Sequence, residues 1–184
     1  TDPAAPGTPV SLTGIRNTHK PWWECNTGVA YLVGSKAAPA PLWRQGQSMV
    51  IVDWSVPTAA PVYIRTFGLP GGQPCATLPI PCTTPVPPSL HGPISAHEHP
   101  NAAGALARGA GPDDIIGNRL YLAYGVGDDG VLQILDRKKL LPDQVGTHVL
   151  GGTWDGSNPD TPTDAEDGAV VAFAGSIAHK ADVG

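Results

Sequence analysis

The chain has 184 residues, enough for one domain with a sizeable core or two small ones. Its 23 glycines and 21 prolines approach a low-complexity composition, yet a chain 41% hydrophobic and only 15% charged is too apolar to stay disordered. A net charge of -5 gives no basic footprint for nucleic acid, and no apolar run reaches the roughly eighteen residues of a membrane-spanning helix.

The chain begins at Thr1, which fits either a trimmed initiator methionine or a cleaved leader; the leader would place the protein outside the cell. Residues 1–9 (TDPAAPGTP) read as an extended, polyproline-like arm. Val10 to Arg16 is a candidate first strand. His19 to Cys25 (HKPWWEC) sets two tryptophans side by side, so one must face away from any core the other fills. Gly28 to Gly34 is a compact apolar run between glycines, as expected of a buried strand. Met49 to Val56 alternates, with Val50, Val52, Trp54 and Val56 on one face and Asp53 and Ser55 on the other. Pro57 ends it, and Pro61 to Phe67 follows as its antiparallel partner, Val62 and Ile64 opposed to Tyr63 and Arg65.

Leu69 to Pro100 then carries nine prolines. Each fixes φ and removes an N–H donor, so the segment is expected to be a long ordered loop with no regular element. Ala102 to Ala110 is alanine-rich, but its glycines limit it to a turn or two of helix. Asn118 to Val126 alternates again, Leu120, Leu122, Tyr124 and Val126 against Arg119, Tyr121 and Ala123. With the loop Gly127-Asp128-Asp129-Gly130 and the apolar run Val131 to Leu135, this predicts a β-hairpin. Asp136 to Leu141 reads as a helical turn stopped by Pro142, and Thr147 to Leu150 as a short strand. Gly152 to Asp167 is an acidic loop. Ala169 to Ala178 closes the series with Val171, Phe173 and Ile177 on one face.

The periods are near two rather than 3.6. The expected fold is mainly β: an antiparallel β-sandwich or barrel with long Pro-rich loops, extended arms and very little helix. The organisation expected is an arm at 1–9 and a single β domain over 10–184, interrupted at 69–100, or two small subdomains at 10–68 and 101–184.

Candidate chemistry concentrates in the Pro-rich segment. Cys75 and Cys82 bracket six residues stiffened by two prolines, a spacing that favours a local disulfide. That would leave Cys25 odd, expected as a buried thiol. His91, His97 and His99 form a cluster whose imidazoles would suit Zn or Cu. Against it, prolines flank the pair and no thiolate or carboxylate sits at a recognised spacing. Asp155, Asp160, Asp164, Glu166 and Asp167 crowd one loop without a calcium-loop pattern, so a solvated turn is expected. Asp113-Asp114 reads as a turn or helix cap. The local signatures of serine hydrolases, zinc peptidases, phosphate loops and dinucleotide-binding loops do not occur, so no catalytic residue is assigned. Tryptophans 22, 23, 43, 54 and 154 could line a carbohydrate-stacking surface, but more often serve as core or interface anchors.

In the C-terminal quarter, Trp154-Asp155-Gly156, Asp167-Gly168-Ala169-Val170 and the run VAFAGSIA resemble segments of the head-decoration proteins of lambda-like phages. That resemblance implies a small β-rich protein that sits on a capsid as a trimer and braces it; it assigns no functional residue. The expectation is therefore a non-enzymatic subunit of a larger assembly, a virion surface or decoration protein. Its rigid arms would lie across neighbouring copies or other subunits, without nucleic-acid binding or membrane insertion. The alternatives are a secreted Zn- or Cu-binding β-sandwich protein using the His cluster, and a cell-surface carbohydrate-binding module.

Overall fold

The computed structural model describes residues 9–36, 43–44, 46–69, 72, 87–97, 118–126, 129–155 and 169–174. The fold is mainly β and antiparallel, as the alternating pattern predicts. One four-stranded sheet, sheet A, has the order β1-β2-β3-β4, from β1 (Ile15–Trp23), β2 (Val29–Lys36), β3 (Ser48–Asp53) and β4 (Val62–Phe67). The second, sheet B, has the order β10-β7-β6-β5, from β5 (Leu90–Ser95), β6 (Arg119–Val126), β7 (Asp129–Asp136) and β10 (Val170–Ala174). A 3₁₀ turn at Lys138–Leu140 leads into a small ribbon of β8 (Gln144–Val145) and β9 (His148–Val149). Among the described residues no helix is long and apolar enough to cross a membrane.

The chain passes from one sheet to the other inside the Pro-rich segment, yet both sheets feed one apolar cluster. Val29, Tyr31 and Val33 of β2, Met49 and Ile51 of β3 and Phe67 of β4 meet Leu90 of β5, Leu120, Leu122 and Tyr124 of β6 and Leu135 of β7. A second, smaller cluster lies on the outer face of sheet A: Ala30, Leu32, Val50 and Val52, covered by Leu12, Ile15, Trp54 and Tyr63. Tyr63 lies beneath the Lys36 ammonium, 3.6 Å from its ring centre. Burial on both faces explains why β2 and β3 read as near-continuous apolar runs.

Three expectations need correction. The first strand is not Val10 to Arg16 but Ile15–Trp23. Leu12 packs on the outer face of its own sheet A, so the described part of the N-terminal stretch folds back onto its own domain. Leu69 to Pro100 does contain a regular element, β5, with Pro93 opposite Leu122. Proline is tolerated there because β5 is an edge strand, and an edge proline forfeits few ladder hydrogen bonds. Cys25 is exposed rather than buried, because it lies in the turn that joins β1 to β2.

Smaller differences have local causes. At β10, Val170 packs against the core while Val171 is exposed, because the register with β7 slips between Val170 and Ala172. In β4 the register slips at Ile64, so Arg65 stands opposite Ile51 and Tyr63 opposite Val52, and Arg65 is buried between the rings of Phe67 and Trp154.

Candidate functional site

The two sheets approach one another along edge strands β1 and β5, which touch without pairing. Each carries a proline, Pro21 or Pro93, and so lacks a donor along its length. The contacts His19–His91 and Glu24–Ser95 follow in the same chain sense, so β1 and β5 run roughly alongside one another.

At one end of this seam lies a buried polar hub. Glu24, 1% exposed, follows β1 directly. Its Oε1 accepts hydrogen bonds from the Tyr31 hydroxyl (2.8 Å), the Ser95 hydroxyl (2.6 Å) and Arg137 Nε (2.8 Å). Its Oε2 accepts from the Thr27 hydroxyl (2.6 Å) and Arg137 Nη2 (2.7 Å). Arg137 stands just past β7 and is itself 2% exposed. Burial alone would raise the Glu24 pKa; the hydrogen bonds and charge of Arg137, with the Ser95 and Thr27 hydroxyls, outweigh it and hold the carboxyl below its ordinary range. The Tyr31 hydroxyl moves the other way, pushed well up by burial and by the Glu24 charge. A carboxylate saturated with donors and shut off from solvent has no open lone pair for a substrate. The chemistry of the hub is that of a fastening between sheets, Thr27 and Tyr31 on one side, Ser95 and Arg137 on the other.

Beside it lies a cleft of about 280 Å³, walled by Trp22 and Pro21 of β1, Pro93 and Ile94 of β5 and Tyr121 of β6. At the far end His19 and His91 face one another, ring centres 5.5 Å apart and planes inclined by 56°.

The predicted metal cluster is spread along this geometry. His91 sits near the start of β5, half-buried; His97 is buried just beyond its end, its backbone N–H donating to Ser95 Oγ at 3.3 Å. They stand six positions apart along extended chain, roughly 20 Å at the rise of a strand. His99, Cys75 and Cys82 lie outside the described residues, as does the acidic loop beyond Asp155, which is itself exposed. Among the described residues no group of three or more His, Cys, Asp or Glu side chains is placed to hold a metal ion.

The tryptophans serve mainly as anchors. Trp43 is buried against Phe67, Trp22 and Trp154 pack on the main core, and Trp54 packs on the outer cluster of sheet A. Trp23, 41% exposed, leans on Trp54 with ring centres 5.2 Å apart.

Sequence reasoning passed over Glu24, Arg137 and His19. Glu24 is a charge inside the apolar run PWWEC, a hint of a buried and paired group. Nothing in the sequence pairs it with a residue 113 positions on. No protein-family model matches the chain, and no similar protein was found among curated sequences or solved structures.

Proposed function

We propose that this protein is a non-enzymatic structural subunit of a larger assembly, of the kind that decorates a virion surface, and that it meets its neighbours through the outer face of sheet B. The observation that carries the reading is the composition of that face. One row across the sheet runs Ile94, Tyr121, Ile134, and the next runs Gly92, Ala123, Leu132. Neither row contains a charged residue. An antiparallel sheet that turns this face to water ordinarily alternates apolar and polar residues. Here those two rows, which look away from the core, are apolar too; charge returns only in the row beyond them, where Arg119 stands opposite Asp136, and Ile94 (42%) and Val171 (48%) are well exposed. Such a band supports a protein–protein contact. The C-terminal resemblance to capsid-decoration proteins points to the same class.

The test is solution mass by light scattering over a range of protein concentrations, with Ile94→Lys as the control. Self-association that Ile94→Lys abolishes supports the reading. A wild-type chain that stays monomeric, and that gains no mass on assembled capsids, rejects it.

A further inference from the structure

We infer that His19 and His91 form a two-imidazole site for a borderline divalent transition metal such as Zn²⁺ or Cu²⁺, clipping the edges of the two sheets together. This inference is independent of the assembly reading and uses a different partner for His91 from the one its neighbours in sequence suggested.

Three observations converge. The first is separation. With metal–nitrogen bonds of about 2 Å and ring centres about 1 Å further on, two imidazoles sharing one tetrahedral ion have centres roughly 5 Å apart. His19 and His91 stand 5.5 Å apart before any ion is added.

The second is how His19 is presented. The β1–β2 register slips between Arg16 and His19 and again between His19 and Trp22, so His19 is held between two bulges. Asn17 (φ 56°) and Lys20 (φ 42°), on either side of it, both adopt left-handed backbone. For a lysine that conformation costs about 1–3 kcal/mol, and such strain persists where the surroundings impose it. On the Asn17 side two details accommodate the bulge. The Asn17 carbonyl accepts a hydrogen bond from Gln47 Nε2 (3.2 Å). Gly34 opposite leaves room that a Cβ would close, since it would stand 2.8 Å from the Arg16 carbonyl oxygen.

The third is His91. The β5–β6 register slips between Leu90 and Gly92, so His91 is the extra residue of its own bulge. Bulges at sheet edges re-aim side chains. Two edge strands from different sheets are bulged around a histidine, on either side of His19 and at His91, and the two rings meet.

The surroundings suit a surface ion that keeps water as its remaining ligands. His19 is exposed and His91 half-buried, so the ion has an entry path. Among the described residues Lys20 is the one Lys or Arg lining the cleft; its stem lies over Gly92, and its exposed ammonium can turn to solvent.

The experiment is calorimetric titration of the full chain with ZnCl₂ and, separately, CuCl₂, at a pH about one unit above that of free imidazole. The expected result is one saturable site, lost in His19→Gln and in His91→Gln and retained in His97→Gln and His148→Gln. The thermal midpoint should rise with metal concentration in the wild type and stay flat in His19→Gln. His19 is exposed, so that variant folds even if His91→Gln does not. Absence of saturable binding by the wild type, or binding that survives His19→Gln, overturns the assignment. Loss on His97→Gln instead would move the site elsewhere and overturn it equally.

Discussion

Replacing Glu24 with glutamine tests whether the hub fastens the two sheets. The substitution keeps the shape but removes the charge and turns one acceptor oxygen into a donor amide. If the amide takes the Oε2 position, it faces the Thr27 hydroxyl and Arg137 Nη2; at the Oε1 position it faces Tyr31, Ser95 and Arg137 Nε. In either case the bond from Arg137 is lost, because a guanidinium cannot accept, and each hydroxyl facing the amide must turn round to accept instead of donate. Arg137, 2% exposed, is left buried without a counter-charge. Breaking one side of such a pair costs about 3–5 kcal/mol, a large share of the 5–15 kcal/mol or so that holds an ordinary domain together. With a urea m-value of about 2 kcal/mol/M, the unfolding midpoint should fall by roughly 2 M at unchanged m. Removing both charges in Glu24→Leu/Arg137→Leu should cost clearly less than the sum of the two singles. What remains is the loss of an acceptor for three hydroxyls, at about 1 kcal/mol each. A single-variant shift below about 0.5 M, or strict additivity in the double variant, would refute the claim that the pair is sealed and coupled.

The same network predicts acid sensitivity. The folded Glu24 pKa lies below its unfolded value, so the unfolded chain binds more protons between the two. The stabilisation is therefore complete above about 4.5 and lost as pH falls through the folded value; urea midpoints should drop on acidification more steeply in the wild type than in Glu24→Gln, and parallel curves would sink the idea. Gly28→Ala should destabilise by about 3 kcal/mol or more, because φ is +73° and the new Cβ would meet Ser55 Cα at 2.3 Å. Thermal melting measures it, and a loss under about 1 kcal/mol would mean that the β1–β2 turn yields easily. Leu122→Ala, at the centre of β6 and fully buried, should cost about 2–5 kcal/mol in denaturant unfolding. Ile94→Lys, by contrast, should leave the monomer within about 0.5 kcal/mol of wild type in the same assay, since its side chain already faces outward.

Much of the sheet framework was legible in period-two patterns. Asn118 to Val126 and Val131 to Leu135 became β6 and β7, which pair without a slip from Arg119–Asp136 to Val126–Asp129. Met49 to Val56 and Pro61 to Phe67 marked β3 and β4 because a turn-rich gap separates two alternating runs, although β3 ends at Asp53. The pattern failed where the backbone departs from simple pleating. β1 was displaced because two bulges and Pro21 break its alternation, so IRNTHKPWW does not read as a strand. β5 was missed because nine prolines around it dominated the reading, although only Pro93 falls inside the strand. The site was less legible still. His91 was singled out, but from its neighbours in sequence, His97 and His99. Its spatial neighbour, His19, lies 72 positions upstream, and only the packing of two sheet edges brings the rings together.

The proline edges, the hub and the histidine pair make one physical argument about the seam. Strands β1 and β5 lie close enough to touch, and continued pairing between them would merge the two sheets. Pro21 and Pro93 withhold donors from that pairing, and the bulges flanking His19 and at His91 break its register. Side chains must then hold what the backbone does not. At the buried end a fully satisfied carboxylate does so permanently. At the exposed end two imidazoles are placed to do so when an ion is present. The cleft between them shares Ile94, Tyr121, Ala123 and Leu132 with the apolar band of sheet B, so the assembly and metal readings occupy adjoining ground. They remain separable, because each has a variant that leaves the other intact. Ile94→Lys places a charge in the band without altering either ring, and His19→Gln removes a ligand from an exposed position outside the band. Loss of self-association in the first with metal binding retained, and the converse in the second, would establish two surfaces; joint loss in both would mean that one partner occupies the whole seam.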